Sequence, residues 1–175
     1  MKRSPILLLL MITIGLLAIA TGQDPSESHQ ATDSVAAPSS VGEARSRAKL
    51  LHEMVRGTLQ VMHRDFFDED DPNAIPSASM EDVFHEMGRS YDVRLKWLVV
   101  ETDVVNVDHQ AEDEFEKKAV EALTRKAPYV EAVEGNRYRF AGPIPLASQC
   151  LKCHVKRRTS TETRTAGLLI SMPMK

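Results

Sequence analysis

The chain has 175 residues, 42% of them hydrophobic and 27% charged, with a formal charge of -3. That length suffices for one domain with a real core and is short for two. The two signs of charge are intermixed, which excludes the basic stripe that nucleic acid or an anionic lipid surface would need.

Residues 1–20 read as a secretion signal: Lys2 and Arg3, the apolar run Ile6 to Ala20, and the small-x-small triplet Ala18-Ile19-Ala20 at its end. The run is shorter than the roughly 20 residues that cross a bilayer. Membrane attachment is therefore expected only if this segment is retained, and the protein is expected in the periplasm or otherwise exported. Residues 21–42 are rich in Ser, Ala, Pro, Asp and Gln with almost no large apolar side chain, the composition of a flexible polar linker. The folded domain is expected over 43–175.

Within it, Ala48, His52, Val55, Leu59, Met62, His63 and Phe66 recur at three- and four-residue intervals, one face of a long amphipathic helix. The acidic run Asp68 to Asp71, followed by Pro72, ends it. A second helix is predicted from Ser79, as N-cap, to Gly88. The period then becomes two: Val93, Leu95, Trp97 and Val99 alternate with Arg94, Lys96, Leu98 and Val100, which marks a strand. Asp108 is a candidate cap for a third helix to Lys126, with Phe115, Ala119, Ala122 and Leu123 inward. Tyr129 to Val133 and Arg137 to Ala141 flank Glu134-Gly135-Asn136 as a hairpin, which Gly142-Pro143 should break. Ala166 to Met172 reads as a last buried strand. The sum is an α+β domain, a small, mainly antiparallel sheet flanked by helices.

Chemistry concentrates in Cys150-Leu151-Lys152-Cys153-His154. In a C-x-x-C-H run the two thiols are spaced to add to the two vinyl groups of one haem, and the next His supplies a neutral imidazole to the iron. The motif uses both cysteines of the chain. A disulfide over so short a loop would be a weak staple. A thioredoxin-like dithiol should follow an early strand, and zinc would need further ligands from elsewhere.

A second, distal iron ligand should come from upstream. His63 or His52 is the candidate, both on the apolar face of the first helix, with His63 preferred because it lies where the chain turns into the rest of the domain. His85, His109, Met54 and Met62 are weaker, His29 is in the linker, and Met172 and Met174 read as core and chain end. Among the arginines, Arg137 and Arg139 are singled out for haem propionates, because their strand leads into the motif.

With Trp97, Asn106, Phe115-Glu116, Tyr138, Pro143-Ile144 and Cys150 to His154 in hand, the chain resembles the c-type haem proteins of the domain-of-unknown-function family numbered 3365, over about 44–175. The resemblance implies a PAS-like domain, one covalent haem c held by Cys150 and Cys153, and His154 as proximal ligand. Some relatives supply a distal Cys thiolate, and here there is no third cysteine. The function expected is that of an exported haem-binding redox or gas sensor module, with a diatomic gas or a separate signalling protein as partner. The alternative is a periplasmic electron-transfer cytochrome with a redox partner. An enzyme such as a peroxidase ranks last, since no distal acid-base group is specified.

Overall fold

The computed structural model describes residues 35–68, 75–148, 150–155, 157 and 159–175; the expected signal peptide, His29 and the acidic run beyond Asp68 lie outside them. Packed chain begins earlier than the expected Glu43: Pro38 is fully buried, and its carbonyl accepts from the Lys175 amide at 3.0 Å.

Helix α1 spans Val41–Asp65, capped by Ser40, whose hydroxyl accepts from the Glu43 amide. Ala44, Ala48, His52, Val55 and Leu59 are buried. Phe66, expected on that stripe, is 77% exposed, because the helix ends before it. Helix α2 spans Pro76–Tyr91, earlier and longer than expected at both ends. Pro76 opens it, where a missing N–H costs nothing, so Ser79 is inside the helix rather than its cap. Its end is set by Asp92 in the left-handed conformation, φ 52°, and not by Gly88.

Strand β1 is Arg94–Leu98. Residues 103–107 form a loop that closes in a single 3-10 turn, Val107–His109. Helix α3 is Glu114–Thr124, five residues later than the expected start, because Asp113 and not Asp108 accepts the first-turn amide, from Glu116 at 2.9 Å. Strands β2 (Val130–Glu134) and β3 (Arg137–Leu146) join through Gly135, φ 61°, and Asn136 as a two-residue hairpin. A short helix α4, Leu151–His154, precedes β4, Arg164–Pro173. The four strands form one antiparallel sheet in the order β1-β4-β3-β2.

Gly142-Pro143 does not break β3, which pairs with β4 as far as Leu146. Glu134 and Arg137 close the hairpin as a hydrogen-bonded pair, so odd-numbered residues of β3 direct their backbone groups toward β2. Strand β2 begins only at Val130, opposite Ala141. Pro143 and Pro145 therefore stand on an open edge, where no ladder bond is lost.

Alternation divides the sheet into two covered faces. Tyr138, Phe140, Ile144, Leu146, Leu168, Ile170 and Met172 join α1, α2, Trp97 and Leu151 in the larger core. Ala141 and Leu169 pack with Leu98 under Phe115, Ala119 and Leu123 of α3. Burying each large side chain contributes about 1.5–3 kcal/mol. Met172 is 2% exposed and so is core, as its place in a buried strand suggests.

Candidate functional site

Strand β3 leaves the sheet at Leu146, and one helical turn later the chain folds back as α4. Leu151 anchors that turn, fully buried in the larger core, with Cys150 and Val155 packed beside it. The spacing then places Cys150 and Cys153 three residues apart on one helical turn, on neighbouring positions of one face. Both thiols are free; Cys150 is half-buried and Cys153 exposed, and burial pushes the Cys150 thiol above its usual range.

His154 is half-buried and its carbonyl accepts from the Asp103 amide at 2.9 Å, which ties the 101–107 loop to the motif. Its imidazole is held below its ordinary value by burial first, and then by the charges of His63 and His109. Three imidazoles thus gather at this end of the molecule, from α1, α4 and the turn after β1. His109, among the weaker ligand candidates by sequence, meets Glu81 Oε1 of α2 through its Nε2 at 2.8 Å, with Asn106 Nδ2 at 3.3 Å. His85 is exposed on α2.

His63 differs from His109 in what is left over. Its Nδ1 lies 3.0 Å from the Leu59 carbonyl, and since a carbonyl only accepts, Nδ1 carries the proton. That tautomer leaves the Nε2 lone pair unprotonated, the state in which imidazoles bind metals. In His109 the corresponding nitrogen is committed to a carboxylate.

His52 is not brought to the motif. It sits three turns earlier on α1, about 16 Å along the axis from His63, with its ring against Gly142 and edge-on to Phe140. Gly142 is itself about 13 Å up the strand from Leu146. Periodicity put both histidines on one face; the alignment of α1 beside β3 separates them.

Arg137 and Arg139 are also elsewhere. Arg139 pairs with Asp113 at 2.7 Å, Glu134 at 3.0 Å and Glu116 at 3.4 Å, and covers the Phe115 ring. Arg137 pairs with Asp92 at 2.7 Å and donates to Ser171. Arg139 faces α3, across the sheet from α4, because odd positions of β3 point away from the larger core. An arginine on the motif's side of the sheet is Arg164, which shares the parity of Leu168, Ile170 and Met172 and opposes Leu146 in the ladder. Its Nε is buried without a hydrogen-bond partner, as is His52 Nε2. Sequence alone offered no signal for it beyond its position ten residues after His154.

The surroundings are unusually apolar for a surface. Val105 and Val107 are 65% and 70% exposed in the loop bonded to His154, and Phe66 is uncovered at the α1 end that carries His63. Among the described residues no group of three or more His, Cys, Asp or Glu side chains could hold a bare metal ion, so the imidazoles do not form a metal cage by themselves.

A four-stranded antiparallel sheet with helices on both faces, presenting a dithiol-imidazole turn at one end, defines a small α+β protein with a candidate ligand site at that end. Residues 39–168 match the family model described as Tll0287-like, and the chain belongs to that family. It is similar in fold to the solved structure of the cyanobacterial heme-protein Tll0287, with a TM-score of 0.53 and 12% identity over 75% of this chain and 93% of that one. No curated protein matches the chain.

Proposed function

We propose that the chain is a haem c protein with one haem joined to Cys150 and Cys153, its iron held by His154 and by His63. The observation that carries this reading is the half-buried His154, at the end of the thiol-bearing turn, close enough to feel the charge of His63, whose Nδ1 is turned onto the Leu59 carbonyl so that Nε2 is the nitrogen the neutral ring can offer a metal. The residues present suit the group in three further ways. The thiols are free and on one turn. The exposed valines and Phe66 supply apolar surface for a macrocycle. The orphaned Arg164 Nε, buried on the same face, lacks the acceptor that a propionate carboxylate would provide. Membership of the Tll0287-like family and the likeness of fold to the cyanobacterial heme-protein Tll0287 support the reading.

A bound haem supplies one-electron redox chemistry, and the protein sets its potential through axial ligands, nearby charge and exposure. Thioether attachment through Cys150 and Cys153 would prevent its dissociation. His154 and His63 would both hold the iron, so a gas would have to displace His63. That favours a redox-responsive sensor module over a gas sensor. Helix α1 bears His63 in its last turn. Electron transfer is the second reading, favoured by the exposure of Cys153, which would leave a haem edge open to a redox partner. Export follows from the N-terminal pattern.

The test is a pyridine haemochrome spectrum of protein matured in a periplasm, beside Cys150→Ala and Cys153→Ala. One haem c per chain is expected, with loss or altered attachment in the variants; absence of haem c from the wild type overturns the proposal. Low-spin bands lost in His63→Ala and kept in His52→Ala are expected, and the opposite pattern would reassign the distal side.

A further inference from the structure

Because β2 stops at Val130 while β3 continues to Leu146, a gap opens beside the β3 edge, and one side of α1 forms its other wall. The result is a groove of about 450 Å³ lined by Lys49, His52, Glu53 and Arg56 of α1 and by Pro128, Tyr129, Phe140, Pro143 and Pro145. Its size falls in the range of about 300–1,000 Å³ typical of small-molecule sites, and its make-up is theirs too, an apolar floor with a few convergent polar groups.

The floor is aromatic. Tyr129 and Phe140 are stacked, centroids 5.5 Å apart and planes within 17°. Lys49 Nζ lies over the Tyr129 ring at 4.2 Å, with no carboxylate in ion-pair range among the described residues. Arg56 holds Glu53 through Nη2 at 2.5 Å, which nearly neutralises that carboxylate and leaves Lys49, whose charge is felt by Glu131 without an ion pair, as the cation at the groove. At the inner wall His52 is 6% exposed, its Nδ1 3.4 Å from Glu53 and its Nε2 unpartnered. The open edge is blunted by Pro143 and Pro145, so it offers carbonyls and no donors and is closed to strand addition. A peptide is thereby disfavoured and a small molecule favoured.

We propose that this groove binds a small aromatic carboxylate, its ring on the Tyr129 face and its carboxylate taken by Lys49. Lys49 would exchange its cation-π contact with Tyr129 for a charge-assisted hydrogen bond. The site is three turns of α1 from His63 and does not depend on haem. Burial keeps the His52 imidazole below its usual range, so the inner wall is uncharged at neutral pH and the anion is held at the rim.

Calorimetric titration of the full chain with benzoate, and with benzamide as the neutral isostere, tests this. Saturable benzoate binding is expected, weakened tenfold or more for benzamide and in Lys49→Ala. Lys117→Ala, on the opposite face of the sheet, should bind as wild type does. Lys49 is exposed, so its loss should leave the melting temperature unchanged, which a parallel melt verifies. No saturable binding at millimolar benzoate, equal affinity for benzamide, or full binding by Lys49→Ala would each overturn the proposal.

Discussion

Gly142→Ala should destabilise the domain through one identifiable collision. A Cβ built at position 142 would stand 2.6 Å from both Cδ2 and Nε2 of His52 and 2.9 Å from Cε1 of Phe140, closer than carbon atoms tolerate. Neither ring can simply retreat: His52 is carried by a buried turn of α1, and Phe140 is 2% exposed between α1 and the sheet. Overpacking of this kind costs about 1–3 kcal/mol. For a domain of about 140 residues that corresponds to a fall in Tm of about 3–10 °C. Thermal and urea melts of Gly142→Ala, His52→Ala and the double variant form a cycle, in which removing the imidazole should relieve the added methyl by about 0.5–3 kcal/mol. Gly57→Ala is the control, since nothing lies within 4 Å of a Cβ there and a helical alanine should stabilise by about 0.5–1 kcal/mol. If Gly142→Ala melts with the wild type, or if the cycle shows no coupling, the close approach of α1 to β3 is wrong, and with it the separation of His52 from the motif.

Three further outcomes are expected. Asp113→Ala removes both the α3 cap and a partner of Arg139, so a loss of about 1 kcal/mol should be measured by urea denaturation, and none would show that the cap is dispensable. Glu131 is held below the usual carboxylate range by hydrogen bonds from Arg45 and then from Tyr138, against burial. A folded-state value below the unfolded one means that the unfolded chain takes up the proton first. The stabilisation is therefore complete above about pH 4.5 and lost as pH falls through the folded value. Glu131→Gln should flatten the stability profile in that window, and an unchanged slope there would refute the role. In haem-loaded protein, Arg164→Gln should lower the midpoint potential by removing a cation that favours the reduced state. An unchanged potential with haem c present would separate Arg164 from the haem reading without touching the latter.

How much was legible beforehand varied with the range of the interaction involved. The α1 stripe, the hairpin at Gly135 and the buried last strand follow from local periodicity and turn chemistry, and all three are in the structure. The ends of α2 and α3 were misplaced because several Ser and Asp side chains could have served as caps, and only the packed position of each helix chooses among them. The run through Pro143 was unreadable for a related reason: a proline breaks a ladder only if a neighbouring strand needs its N–H, and where β2 stops is not a property of residues 142–145.

The candidate site divides the same way. Cys150, Cys153 and His154 are contiguous, so their chemistry is written in spacing alone. His63 and His52 occupy equivalent positions on one helical stripe, and a period of 3.6 cannot say which turn of α1 will lie beside α4. Arg137 and Arg139 precede the motif in the chain yet point away from it, whereas Arg164 follows the motif and shares its face. Strand parity was visible in the sequence, but which face the returning chain would cover was decided only when Leu151 was buried against α1. Residue type and local period are encoded by neighbours along the chain; convergence is decided by the register between elements, which depends on the whole core at once.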